Sequence, residues 1–417
     1  MAIIFKNIDI ITWDSFIENT DVLIEGNKIS KIGNVDAKDC DEVISGKNKI
    51  LCPGLVNTHT HAAMTLFRSY ADGMNLEDWL YTKIFPAEDN LTGEDVYNGT
   101  VLGILEMLQS GCTAFHDMYF FTDDIARAVE NVGIRAKICR GLVNGGKEGF
   151  DKDERIWGNV DFYKKYNGAC DGKITVGFGM HSVYTCSPEY LKYCADVVKD
   201  LGADAHIHLS ETETENRNCI NSYGKTPTAL MYEAGVFNSP CVAAHCVHLS
   251  DEDIEILKNK NVFVAFNPSS NLKLKSGIAE ISKLLKNGIN VSIGTDGASS
   301  NNNLNMFEEM HIGALLSGAD SGEILKMATL NGAKALNLPV GEIKEGSVAD
   351  LIMIDTDKPH FYPKHDMRAN LLYSAGGSDV CLTMVDGKIL YRDGEFKTAD
   401  FEKIKYNAEK SKERVCK

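Results

Sequence analysis

The residues best equipped for chemistry in this 417-residue chain are imidazoles and carboxylates that close short apolar runs. His59-Thr60-His61 sets two imidazoles two positions apart. Side chains alternate along a strand, so both rings leave the same face and can serve one cation. Such a pair is a weak signal alone; here it follows the buried-type run Pro53-Gly54-Leu55-Val56-Asn57. His208 can supply a third nitrogen and Asp296 an oxygen. Three nitrogens and a carboxylate suit one borderline divalent cation, zinc foremost, with iron or manganese able to share the same ligands. Water would take the open position, where zinc lowers its pKa from about 15.7 to about 7. His206 lies on the same strand face as His208, two residues deeper, and competes with it for the ion. Asp296 has a second reading as a helix cap before Gly297-Ala298-Ser299-Ser300.

Glu211 follows His208 by three residues and stands just past the strand end. A carboxylate there can take a proton from the water and pass it to a ring nitrogen of a substrate. The competing reading is a solvated loop acid, one of Glu211, Glu213 and Glu215. His245 is a candidate to orient the attacking oxygen, with a structural ring as the alternative.

Eight apolar runs, separated by helical stretches such as 95–109 and 189–199, carry these groups. They lead to His59, His116, Arg140, His181, His208, His245, Asn267 and Asp296. Alternating strands and helices predict an α/β fold with a parallel sheet. A (β/α)8 TIM barrel builds its site at the C-terminal strand ends, where all eight polar residues fall. The two chain ends have a different texture, with short strands turning at Gly26-Asn27 and Asp386-Gly387. The expected organisation is a catalytic barrel over 55–344 and a small β-sandwich domain built from 1–54 and 345–417.

Composition removes several functional classes. The formal net charge is −16 with no Lys/Arg cluster, which argues against nucleic acid or an anionic membrane as partner. No run of about 18 apolar residues predicts a membrane span, and no export signal is recognisable. The twelve cysteines include no CxxC pair, so reduced thiols in a cytoplasmic protein are expected. The HxE and PCxxC pattern of cytidine deaminases is absent. Gly179-Met180-His181 stands where a two-metal barrel hydrolase would carry a bridging lysine, which favours one metal.

Pro53 to His61, His206 to Glu211, Ala244-His245-Cys246-Val247-His248 and Gly294-Thr295-Asp296-Gly297 resemble the amidohydrolase superfamily. The likeness runs over essentially the whole chain and is greatest to the 5-methylthioadenosine/S-adenosylhomocysteine deaminases. It implies that His59, His61, His208 and Asp296 bind the metal and that Glu211, His245 and Asp296 are catalytic. Asp296 would also return a proton to the leaving amine. Among substrate-binding residues, Glu88 would accept from the ribose hydroxyls, as acceptor-only carboxylates can. His181 would lie near the ribose and 5′ substituent, and Trp79 could cover the purine. Arg140 and Arg155 would fork onto a homocysteine carboxylate, Arg140 across a subunit boundary of a homo-oligomer. The expected substrates are adenosine-type nucleosides: S-adenosylhomocysteine, 5-methylthioadenosine, 5′-deoxyadenosine or adenosine. The rivals are a hydrolase of another heterocycle, guanine or triazine, and a metal-binding homologue without catalysis.

Overall fold

Leu55–Thr60, Cys112–Tyr119, Arg135–Leu142, Ile174–Met180, Asp204–Leu209, Cys241–His245, Phe263–Phe266 and Val291–Ile293 form one parallel sheet in chain order. These coordinates are a computed structural model that describes residues 2–38, 40–144 and 149–416. The first two strands are buried at every position, as expected where helices cover a parallel sheet. The eighth strand returns to the first: Asp296 N donates to His59 O at 3.0 Å, and Thr58 Oγ1 donates to Ile293 O at 2.9 Å. The seam of the barrel thus runs between two of the expected metal ligands.

Two strands run more than one residue past the residues read as their ends, the third reaching Leu142 beyond Arg140. The second continues three residues past His116, and Asp117, Met118 and Tyr119 keep pairing with Ile138, Cys139 and Arg140. Asp117 is accommodated because its Oδ1 accepts from Ala62 N at 2.8 Å. His116 is therefore inside the barrel, with Nε2 3.2 Å from Cys139 Sγ, and Tyr119 reaches the strand end instead.

Both chain ends enter a nine-stranded mixed sheet, joined where Lys49–Pro53 pairs antiparallel with Leu351–Asp355. Ile3, Phe5, Ile24, Leu51, Leu351 and Met384 are part of its separate apolar core. The hairpin at Asp386-Gly387 has positive φ at both residues (53° and 73°), the conformation that two-residue turns favour. The helix Phe401–Val415 packs on Gly93–Gln109, where Arg414 pairs with Asp95. All twelve cysteines are free thiols. Among the described residues no helix is long and apolar enough to cross a membrane.

Arg135 ties the barrel to the end sheet. It is almost fully buried and forks onto Asp350 (Nε–Oδ2 2.7 Å, Nη2–Oδ1 3.1 Å) while reaching Asp386 Oδ1 at 2.9 Å. Truncating one partner of a buried ion cluster strands the others. Arg135→Ala should cost about 3–5 kcal/mol of unfolding free energy in a denaturant titration. A loss under about 1 kcal/mol would mean that the cluster carries no net stabilisation.

Candidate metal centre and active site

Asp296 is held from several sides at the barrel mouth. Asp296 Oδ2 accepts from Ser270 Oγ (2.6 Å) and Ser300 Oγ (2.8 Å), and Oδ1 accepts from Gly297 N (2.8 Å). Oδ1 also faces His59 Nε2 at 3.4 Å and His61 Nε2 at 3.2 Å. Burial alone would raise the Asp296 pKa, but the contacts with His59 and His61 hold it well below the usual carboxylate range. The helix-cap reading does not hold: the residues after Asp296 form a turn, and the next helix, Met306–Ser317, is capped by Asn305.

Three histidines bring their Nε2 atoms towards the same place. His61 Nδ1 lies 2.6 Å from Met118 O, and His208 Nδ1 lies 3.0 Å from His181 O. A carbonyl only accepts, so both Nδ1 atoms carry the proton and both Nε2 atoms present lone pairs. Those two Nε2 atoms face one another at 3.3 Å. Two neutral rings cannot satisfy that approach; a proton on His61 Nε2 or a metal cation between the rings can. His59 Nε2 is buried with no hydrogen-bond partner among the described residues. Ligand atoms of His59, His61 and Asp296 lie within 4.8 Å of one another, and those of His59, His208 and His245 do likewise. The donor set fits a divalent cation. Burial lowers His59 to about 4, while on His61 burial is outweighed by Asp296, which lifts it to about 9 and lets that ring carry a positive charge. His206 does not join either group, because its Nε2 is taken up 2.7 Å from His59 Nδ1.

Glu211 is buried, with 2 % of its surface exposed, whereas Glu213 is exposed. Burial raises its pKa. Ser276 Oγ donates to its Oε1 at 3.1 Å, and its backbone N donates to Glu215 Oε2 at 2.7 Å. Its Oε2 stands 3.7 Å from His245 Nε2. His245 Nδ1 lies 2.8 Å from Asn271 Oδ1, which leaves Nε2 as the atom facing the cavity. His248 Nε2 lies 2.7 Å from Ser276 O and so steadies the residue that holds Glu211. Ser210, His245 and Asp296 all have positive φ (47°, 71° and 60°). Non-glycine residues pay about 1–3 kcal/mol for that conformation and concentrate at functional sites.

The cavity over these groups is walled by His61, His181, His208, Glu211, His245 and Asp296 on the barrel side. Leu76, Trp79, Leu80, Ile84 and Glu88 cover it from the segment after the first strand. That segment contains a π-helical turn over Leu80–Ile84, a rare form that often marks functional sites. Tyr119 OH donates to Glu88 Oε1 at 2.6 Å. Burial is the main cause that raises Glu88 to about 7, with the Tyr119 bond pulling against it. His181 Nδ1 lies 3.0 Å from Thr185 Oγ1, and burial, then His61, lowers its pKa to about 3.

The two arginines stand apart from this wall. Gly141 lines the cavity, so its strand neighbour Arg140 points to the opposite face, against Gly158. Arg155 is engaged by Asp153, with Nε–Oδ1 3.1 Å and Nη2–Oδ2 2.9 Å. Tyr119, Asn271, Ser276 and Ser270 are site residues that the sequence reading missed. Tyr119 was discoverable from the uninterrupted Met118-Tyr119-Phe120 run; Ser270 and Asn271 sit on the short helix Pro268–Lys273 and Ser276 on the loop after it, where no periodic signal marks them.

Comparison with known proteins agrees with this geometry. The Amidohydrolase family matches residues 50–390. A 5-methylthioadenosine/S-adenosylhomocysteine deaminase of Caldanaerobacter subterraneus is 46% identical over 424 residues, 98% of each chain. A 5′-deoxyadenosine deaminase of Methanosarcina mazei is 45% identical over 424 residues, covering 99% of this chain and 98% of its own. An adenosine deaminase of Xanthomonas campestris, solved with bound zinc, superposes with a TM-score of 0.93 at 29% identity, covering 99% of this chain and 98% of that one. With a family match over most of its length and relatives of this identity, the chain belongs to the amidohydrolase family.

Proposed function

We propose that this protein is a hydrolytic deaminase that replaces the 6-amino group of an adenosine derivative by oxygen and releases ammonia. The observation that carries the reading is the burial of Glu211 in the same cavity wall as His61, His208 and Asp296. His59, His61, His208 and Asp296 would hold one divalent ion, zinc for preference. When bound, the ion would act as a Lewis acid and bring water ionisation near neutral pH.

The chain's own groups supply the rest. Glu211 takes a proton from the attacking water and delivers it to the ring nitrogen beside C6. His245, held at Nδ1 by Asn271, offers Nε2 to the oxygen that adds to C6. Asp296 accepts the second proton and returns it to the amine as the C6–N bond breaks. One water is consumed and one ammonia leaves. Trp79 covers the purine, Glu88 accepts from the ribose hydroxyls, and His181 borders the 5′ side. A homocysteine carboxylate would have to displace Asp153 from Arg155 to use that arginine, with Arg140 beside it. Ammonia release from S-adenosylhomocysteine, 5-methylthioadenosine, 5′-deoxyadenosine and adenosine by the metal-loaded protein tests the reading. No release from any of the four would sink it.

Glu88 makes the pH dependence specific. Only the ionised carboxylate accepts from both ribose hydroxyls, and with its pKa raised to about 7 that form dominates above neutrality. KM for adenosine should therefore fall as pH rises through about 7, while 2′,3′-dideoxyadenosine should show no such limb. Tyr119→Phe removes a donor that lowers this pKa, so the limb should move to higher pH. KM should rise about 3- to 10-fold at neutral pH with kcat nearly unchanged. An unaltered KM profile would remove Glu88 from ribose recognition.

A further inference from the structure

His206 is wholly buried beneath the proposed metal centre, two residues deeper than His208 on the same strand face. Its Nε2 lies 2.7 Å from His59 Nδ1. The two nitrogens share one proton, and the ligand set settles where it sits. If His59 gives its Nε2 lone pair to the ion, its proton must be on Nδ1, and His206 Nε2 must accept it. His206 then carries its own proton on Nδ1, an atom with no partner among the described residues. The His116 ring packs against His206, with centroids 3.8 Å apart and planes tilted by 46°, and limits its rotation.

Outer-sphere partners set the tautomer and orientation of ligating histidines. For His61 and His208 the partners are the carbonyls of Met118 and His181, which every residue type provides. His59 alone among the three depends on a side chain. We propose that His206 is a positioning residue, a neutral acceptor that locks His59 into the tautomer and rotation that present Nε2 to the metal. The competition between His206 and His208 for the ion thereby resolves into two roles on one strand face: the outer residue ligates and the inner one orients a ligand from the first strand.

This inference rests on the ligand set proposed above. The test uses apo protein reloaded with zinc or cobalt(II) in competition with a chelator. His206→Leu should weaken binding of both ions by about 10- to 100-fold and alter the cobalt(II) visible spectrum. His206→Gln, whose amide oxygen can reach His59 Nδ1, should recover most of the affinity and the wild-type spectrum. His206→Asn, one methylene shorter, should not; this variant serves also if the leucine protein fails to fold. Wild-type affinity and spectrum in the Leu or Asn protein would overturn the proposal, as would a Gln variant as weak as Asn. His59→Ala separates the two levels of inference. If it retains wild-type metal affinity, the ligand set is wrong; if it loses the metal while His206→Leu keeps it, only the role of His206 is wrong.

Discussion

Glu211→Gln is expected to lower kcat for deamination by about two to four orders of magnitude while metal content stays at the wild-type level. Glutamine preserves the shape and the bond from Ser276 Oγ to Oε1, so the loop that holds it should not move. What disappears is the capacity to take a proton at one stage and surrender it at the next. The position is suited to that task, because burial raises the Glu211 pKa and so brings it nearer the working range of a proton carrier. Ammonia release at saturating substrate, with metal measured per chain, checks the prediction. Equal rates in the two proteins would exclude Glu211 as the proton carrier.

Asp296→Asn should have an effect as large by a different route. The carboxylate accepts from Ser270, Ser300 and Gly297 and turns Oδ1 towards His59 and His61, an arrangement built for an anion. Asparagine fits the same space and tolerates the positive φ at this position, so the backbone should hold. Without the charge, burial again dominates His61 and its pKa should fall. Metal affinity should drop by more than the 10- to 100-fold typical of an outer-sphere partner. Wild-type protein should gain about 2.7 kcal/mol of stability at zinc concentrations 100 times Kd, and the asparagine variant should gain almost none there. Thermal melts with and without zinc read this directly. A full zinc-dependent gain in the variant would exclude Asp296 as a ligand.

The seam of the barrel explains why these two residues carry so much. Asp296 N donates to His59 O at 3.0 Å, so the proposed ligand from the eighth strand and one from the first are joined through backbone, besides any ion they would share. The Ser276 loop approaches from the seventh strand and meets Glu211 from the fifth, while Asn271 in the same stretch holds His245 from the sixth. Residues 267–276 thus position Glu211 and His245, which belong to separate β/α units, although none of them is itself a strong candidate for chemistry by residue type.

The sequence alone determined the identity of the chemical groups and the class of scaffold that presents them. His59, His61, His208, Glu211, His245 and Asp296 were recognisable as candidates because each terminates or follows an apolar run, and in a β/α alternation the C-terminal ends of such runs form the barrel mouth; His116 shows that a run can also stop short of its strand's end. The pairing of both chain ends was likewise visible as two stretches of hairpin texture. Only the tertiary structure decided which face each group uses and what holds it there. Strand alternation turned Arg140 away from the cavity once Gly141 faced it, and the ladder to the third strand carried the second past His116 to Tyr119. The bonds of His206 to His59 and of Tyr119 to Glu88 join residues 147 and 31 positions apart. Periodicity is a local signal and reports which side of its own strand a residue occupies; hydrogen-bond partners are set by closure of the sheet, which no local pattern encodes.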